Sequence, residues 1–392
     1  MSVIADRLVQ DGPEARQAPR SDAISAPVLE TRIVSGAEWD ATIADFDEVC
    51  QEQLHAFAIS RWPSVVQEPM LFLANGEIVG GSLMMVQRLP LGLGTIAVSK
   101  WGPMLRFAGR ADADMIHAGM IEALIAEYAD KRGQMLSVLP RASTTPVNGA
   151  YQRLVARGFR RGSELMFPNR YIVALRLDDA AQRKSFHQKW RYHLNKSEKA
   201  GLTFEHAGPE RLGEFETLYA AMTDRKQFPD HSAYETVATL MALEDGLRPE
   251  LFFVRHDGEL VAGALIFKAG DRAVYLYGAT NDKALPLRAG YFLHWHIIRW
   301  LRDHTSASWY DLGGTDGFQG LHQFKKGMVG DAGVIQPVPP VANYASKPWA
   351  YLAGAGAFAA RDGVYHLRRI VDGWRNPKAR PTQARTSGEA SE

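Results

Sequence analysis

Two α/β units in tandem, followed by a helical extension, are what this chain of 392 residues predicts. The first observation is a hairpin that occurs twice: Met70-Leu71-Phe72-Leu73, Asn75-Gly76 and the apolar run 77–86, then Leu251-Phe252-Phe253-Val254, Asp257-Gly258 and the run 259–267. Asn-Gly or Asp-Gly between apolar runs signals a tight turn, because both central residues take positive φ there. The second observation is the order around each hairpin: helices before it, then strand, helix and strand. A unit that occurs twice implies two similar domains, with the crevice between them a natural binding place. The third is length, which suits about two to three ordinary domains.

Residues 1–30 read as a flexible leader, with prolines among Asp6, Asp11 and Glu14 and no apolar segment of a signal peptide. The first unit spans 31–168. It holds a short strand at 32–34, helical stretches through 39–61, the first hairpin and a strand at 95–101. A helix follows at 112–132, whose stripe Met115, Ile116, Met120, Ile121, Leu124, Ile125 and Tyr128 has the 3.6-residue period. A strand at 135–139, a helix at 146–157 and a strand at 164–167 complete this part, and residues from about 335 to 346 are expected to return to it. The second unit spans 169–334: one long basic helix at 179–200, a strand at 202–205, helices at 209–225 and 232–243, the second hairpin, a strand at 273–277, a helix at 290–302, then a strand, a glycine bend and a lysine-bearing helix. In the extension, 347–375, Trp349, Tyr351, Leu352 and Phe358 lie beside Arg361, Arg368 and Arg369, a pattern that suits either core packing or a membrane surface. Residues 376–392 are a polar tail.

Composition narrows the function. Hydrophobic residues are 46% and charged residues 23%, with a formal net charge of +1, so no global charge points to nucleic acid or a polyanion. Any anion site must be local. The single cysteine, Cys50, excludes an internal disulfide and a cysteine-rich zinc site, favours a reducing, cytoplasmic compartment, and reads as a small buried hydrophobe. His294 and His296 are two apart on a helix and share no face, so they make poor metal partners, and no metal is expected. No Gly-x-Ser-x-Gly elbow or P-loop occurs.

Chemistry concentrates in residues 309–327. A buried-strand pattern through Asp311 breaks at Gly313-Gly314 and resumes as a helix carrying Lys325 and Lys326. A strand that ends this way exposes backbone N–H groups and a helix N-terminus, both attractive to phosphate or an oxyanion; the same pattern also makes an ordinary turn with solvated lysines. On the functional reading Lys325 faces an open groove and stabilises a tetrahedral oxyanion by about 3 kcal/mol. Asp311 and Asp316 are the candidate proton acceptors for an attacking amine, though Asp311 at a strand end could equally cap the turn. Lys184, Lys189, Arg191, Lys196 and Lys199 make either a phosphate-facing strip or a solvated helix face. Gly80-Gly81 and Gly263, inside strands, mark bulges or the close approach of a ligand to backbone.

The order of elements resembles the N-acetyltransferase (GNAT) superfamily. A narrower resemblance rests on residues 189–202 (beginning Lys189-Trp190-Arg191-Tyr192), 219–225, Tyr275-Leu276-Tyr277-Gly278-Ala279, Tyr310-Asp311-Leu312-Gly313-Gly314 and Phe324-Lys325-Lys326-Gly327. In this order they resemble the FemABX aminoacyltransferases, over most of 31–340. The resemblance implies an α/β (α+β) fold of two tandem GNAT-like domains, aminoacyl-tRNA as co-substrate with no other cofactor, and an amine acceptor on a sugar-nucleotide or lipid-linked peptidoglycan precursor, with peripheral contact at the inner membrane face. It assigns Lys325 to the lysine near the donor, Arg225 to acceptor phosphate and Arg61, in loose register, to the first domain's basic residue. Lys196, Tyr277, Gly313, Gly314 and Phe324 join the substrate-binding set. The alternative donor is an acyl-CoA, for which Arg288 and Gly290 would be a compressed pyrophosphate loop, or else Arg288 simply forms a salt bridge. A second alternative is a non-catalytic sugar-nucleotide-binding protein.

Overall fold

The computed structural model describes residues 26–226 and 233–375. Most of the expected leader, the tail at 376–392 and the start of the helix expected at 232–243 lie outside the described residues. The first unit runs β1 (Glu30–Ile33), α1 (Gly36–Ile43), α2 (His55–Arg61), β2 (Val66–Ala74), β3 (Glu77–Arg88), β4 (Thr95–Lys100), β5 (Met104–Leu105), α3 (Ala113–Leu124), β6 (Met135–Leu139), α4 (Gly149–Ala156) and β7 (Arg160–Arg161). The second runs β8 (Asn169–Ala174), α5 (Asp179–Ser185), α6 (Gln188–Ser197), β9 (Leu202–Ala207), α7 (Leu212–Lys226), α8 (Val237–Met241), β10 (Glu250–His256), β11 (Glu259–Phe267), β12 (Arg272–Thr280), α9 (Ala284–Leu287), α10 (Ala289–His304), β13 (Trp309–Asp311), α11 (Gln319–Val329) and β14 (Val334–Pro337). Then come β15 (Ala342–Tyr344) and α12 (Pro348–Arg375).

Each unit is built on its own mixed sheet. The first has the order β1-β2-β3-β4-β6-β15-β7 with β5 added to β3, and the second β14-β8-β13-β12-β11-β10-β9. Both hairpin turns take positive φ at their two central residues, 52° and 81° at Asn75-Gly76 and 50° and 79° at Asp257-Gly258, as the dipeptides require. The return to the first sheet begins later than residue 335: β14 still pairs with β8, and it is β15 that inserts between β6 and β7. Residues 164–167 form no strand. The long basic helix is two helices, because Phe186 turns inward against Trp190 and Trp295, at ring distances of 4.3 and 6.0 Å, and the His187 N–H donates to Gly327 O instead of continuing the helix.

The helices of the first unit that precede its hairpin lie between the two sheets. Trp39, Ile43, Phe46, Leu54 and Phe57 bury with Leu240, Leu247, Phe267 and Val274 of the second unit in one apolar cluster, each such side chain contributing about 1.5–3 kcal/mol relative to exposure. Polar links cross the same seam: Asp271 N–H donates to Asp47 O at 2.6 Å, and Arg272 Nη1 to Ala142 O at 2.8 Å. The strand glycines serve this packing. A Cβ on Gly81 would lie 2.7 Å from the Trp39 ring, on Gly80 2.5 Å from Met104 O and 2.6 Å from Met120 Sδ, and on Gly263 3.0 Å from Phe215, so neighbouring protein atoms rather than a ligand approach the backbone there, and a bulge in the β2–β3 pairing falls beside Gly80. Among the described residues no helix is long and apolar enough to cross a membrane.

Candidate active site

The parallel strands β12 and β13 pair only through Arg272–Val274 and Trp309–Asp311. Beyond Val274, β12 continues to Thr280 alongside β11 while β13 has ended, so a wedge opens between Tyr275 and the Leu312-Gly313-Gly314 bend. Gly313 holds the bend with φ of 75°, a region costly for a residue with a Cβ. The first-turn carbonyls left by the departing strand find a donor in Lys325, on α11: its Nζ donates to Leu312 O and Gly314 O, both at 2.5 Å, and stands 5.9 Å from the centre of the Tyr275 ring.

Lys325 is only 6% exposed. The amine therefore does not face an open groove as its position after a glycine bend suggests; it is drawn into the wedge by two carbonyls that would otherwise lack donors. Burial, and then the neighbouring Arg170 guanidinium, push its pKa down to about 8, while Asp311 and Asp316 oppose the shift. An ammonium carries three N–H groups, and the two carbonyls use two.

Asp311 closes the base of the wedge. Its carboxylate, nearly fully buried, accepts Arg170 Nε at 3.1 and 3.2 Å and the Gly313 N–H at 2.9 Å. Burial alone would raise its pKa, but Arg170, Arg272 and the Gly313 N–H hold it below the usual aspartate value. Such a carboxylate accepts a proton poorly at neutral pH, so its surroundings suit a holding role better than that of a base. Asp316 is exposed on the same bend, with φ of 48°.

The remaining expected residues fall into two groups. At the far end of β12, Arg225 bonds Asp282 at 2.6 Å and Thr280 O at 3.0 Å, and Arg61 pairs with Glu235 across the two units. Tyr277 is buried there, edge-on to Tyr219 and Tyr234, which stack at 3.8 Å, and burial pushes its hydroxyl up to about 12. On the helical side of the second sheet, Phe324 packs on Tyr291 at 4.9 Å, a Cβ on Gly290 would lie 3.8 Å from it, and Lys196 is exposed on α6. Arg288 precedes α10 in the left-handed conformation, φ 58°. Among the described residues it makes no ion pair, contrary to the salt-bridge expectation, and its Nε, Trp190 Nε1 and His193 Nδ1 are buried without hydrogen-bond partners. His193 is shifted down by burial and by Arg288, Lys189 and Lys196, which places these cations around one spot at the start of α10.

Sequence reasoning missed Arg170 and Arg272, and met Tyr275 only as part of the motif Tyr275-Leu276-Tyr277-Gly278-Ala279. The available signal was a charged residue heading a buried-strand pattern, at Asn169-Arg170-Tyr171 and Asp271-Arg272-Ala273, where an arginine can persist only if it is paired. His294 was read only for its spacing from His296. It sits beneath Lys325, 3.1 Å from Tyr310 Oη, and burial with the nearby ammonium pushes it down to about 3.

The wedge between adjoining parallel strands, repeated hairpins and a second similar unit make comparison with known proteins direct. Residues 184–326 match the family described as acetyltransferase (GNAT) domain. The crystal structure of FemX superposes with a TM-score of 0.65 at 18% identity, over 81% of this chain and 97% of that one. The chain shares the fold of FemX. L-PGS from Bacillus licheniformis is also similar in structure, with a TM-score of 0.51 at 13% identity over 82% of this chain and 95% of that one. In sequence, lipid II:glycine glycyltransferase of Staphylococcus saprophyticus is 29% identical over 129 residues, 30% of this chain and 31% of the relative. The Staphylococcus aureus protein of the same name is 32% identical over 77 residues, 18% of each. The chain thus spans less than a third of the length of the curated relatives it matches.

Proposed function

We propose that this protein is an N-acyltransferase that moves an aminoacyl group from aminoacyl-tRNA to an amino group on a lipid-linked peptidoglycan precursor. The observation that carries the reading is Lys325, buried in the wedge between β12 and β13 with two N–H groups spent on Leu312 O and Gly314 O and a third left over. The acceptor nitrogen attacks the ester carbonyl carbon; a C–N bond forms, the ester C–O bond breaks, and the ribose hydroxyl leaves with a proton. In the tetrahedral state Lys325 donates to the oxyanion. Asp316, exposed on the bend, takes the proton the amine sheds. The donor's phosphates lie at the start of α10, where Arg288, Lys189, Lys196 and a 16-residue helix all favour negative charge. Arg225 and Arg61, partly exposed at the other end of β12, suit acceptor phosphate. The lipid-linked acceptor is supported by the relatives named lipid II:glycine glycyltransferase.

A lipid-linked acceptor asks for a membrane-facing surface, and an exposed apolar patch supports this part of the reading. Leu91 is 95% exposed and Leu352 71%, with Leu93 and Trp349 also exposed. The Trp349 ring lies 3.3 Å from a Cβ placed on Gly94, so the 89–94 loop and the start of α12 form one apolar patch, flanked by exposed Arg88 and Lys347. Trp and Leu beside basic residues suit an anionic bilayer surface.

The test is incubation with a charged tRNA pool, or with acyl-CoA, and the precursor either in vesicles or in detergent, followed by mass spectrometry of the acceptor. An aminoacyl mass gained only with charged tRNA is expected, with the Leu91→Glu, Leu93→Glu double variant slower on vesicles and unchanged in detergent. Acyl gain from acyl-CoA alone would replace the donor; no gain from either would reject the enzyme. Equal vesicle and detergent rates in the double variant would remove the membrane surface.

A further inference from the structure

On the face of the second sheet that meets the first unit, three guanidinium groups converge. Arg141 follows β6, Arg170 lies in β8 and Arg272 begins β12; with Trp101, Cys50, Gln51, Glu52, Val274 and Asp311 they wall a cavity of about 20 Å³, room for one water or for one oxygen of a guest held at its mouth. Nearby carboxylates answer this charge through space, but none bonds the free donor of Arg272. Asp311 is taken by Arg170 and the Gly313 N–H, Glu48 by the Leu105 N–H at 2.6 Å, and Glu52 faces Lys100 at 3.7 Å. Asp271 stands 3.8 Å from Arg141, too far for a hydrogen bond. Arg272 is only 7% exposed, spends one Nη1 donor on Ala142 O, and has its Nε buried without a partner.

A buried guanidinium with an unused donor, beside two more, is costly unless something anionic fills the gap. Planar carboxylates match the guanidinium fork, and a small cavity favours them over bulkier anions. The cavity adjoins the wedge: Arg170 Nη1 and Lys325 Nζ each lie 3.9 Å from the same Cβ position on Gly313. Arg141 keeps part of its side chain in solvent, which gives the cavity a mouth.

We propose that this inter-unit cavity is a carboxylate subsite, in which Arg141, Arg170 and Arg272 hold a carboxylate of the acceptor within reach of the amine that attacks at the wedge. The inference rests on the acyltransferase reading for the word acceptor, but the binding itself does not. It makes the acceptor an amino-acid-like group, with an anionic carboxylate a few bonds from the nucleophilic nitrogen. Burial, and then Arg141, push the Arg272 guanidinium down to about 10, with Asp311 and Asp271 opposing the shift.

The full chain, without donor, is titrated with sodium acetate and separately with inorganic phosphate at constant ionic strength, against sodium chloride as control, reading thermal midpoint and the fluorescence change lost in Trp101→Phe. Saturable acetate binding is expected, weakened more than about tenfold in Arg141→Gln, which removes one charged donor. Arg272→Lys, which keeps charge but lacks the Nε fork, should weaken it as well while far-UV circular dichroism stays native. Response to phosphate alone would overturn the carboxylate assignment; no saturable response to either ion, with only water in the cavity, would overturn the subsite. In the transfer assay an acceptor whose carboxylate is capped as an amide should show a raised KM. Equal KM for acid and amide would overturn the link to the acceptor while leaving acyl transfer itself standing. Acetate binding with no transfer from any donor would keep the subsite and reject the enzyme.

Discussion

Replacing Lys325 with alanine should lower the transfer rate by about 10²–10³-fold, the usual loss when one donor to a tetrahedral oxyanion is removed. It should also cost stability, because the Leu312 and Gly314 carbonyls bonded by Nζ lose their donor inside the protein, a penalty of about 1–3 kcal/mol. Lys325→Met keeps the stem packed against its surroundings, so it deletes the ammonium, and with it both sets of bonds, without opening a cavity. Its denaturation midpoint should lie close to that of the alanine variant or above it, with turnover equally low. A methionine variant that turns over within a few-fold of the parent would remove Lys325 from the chemistry and leave it as a pin for the glycine bend.

Asp311→Asn is expected to be the more damaging change to the fold. The carboxylate answers Arg170 directly and Arg272 through space, and the amide that replaces it leaves two buried guanidinium groups uncompensated. Breaking one side of a buried ion pair costs about 3–5 kcal/mol. Since the folded pKa of Asp311 lies below the ordinary value of 3.8, the stabilisation is complete above that pH and is lost only as pH falls through the depressed value. Denaturant titrations at pH 7 should therefore show the full gap between variant and parent, and the gap should close only in strong acid. A gap that closes near pH 5 would mean that the aspartate is not held by the arginines; a variant as stable as the parent would make the cluster irrelevant to folding.

The tandem architecture was legible because its signals are local and repeat. Asn75-Gly76 and Asp257-Gly258 announce positive φ whatever surrounds them, and the α3 stripe carries its own period. What failed was non-local. The break between α5 and α6 depends on Phe186 finding Trp295 more than a hundred residues away, and the late return of the chain depends on β14 finding β8. The same division holds at the site. Lys325 and Asp311 drew notice through a short motif, but the direction of the lysine is decided by two carbonyls, and the partners of Asp311 come from β8 and β12, far apart in sequence. Gly80-Gly81 and Gly263 mark either bulges or a ligand's approach; the register of β2 against β3 does shift beside Gly80, while Trp39, Met104 O, Met120 and Phe215 fill the space a ligand would need.

The central claim is that a buried, cationic Lys325 acts on the reacting carbonyl. The pH dependence of kcat/KM for transfer, measured from pH 6 to pH 10, tests it most directly. With a pKa pushed down to about 8, the cation is lost as pH rises through that value, so the rate should climb while the acceptor amine deprotonates and then fall above about pH 8. A rate that keeps rising to pH 10 would contradict the claim.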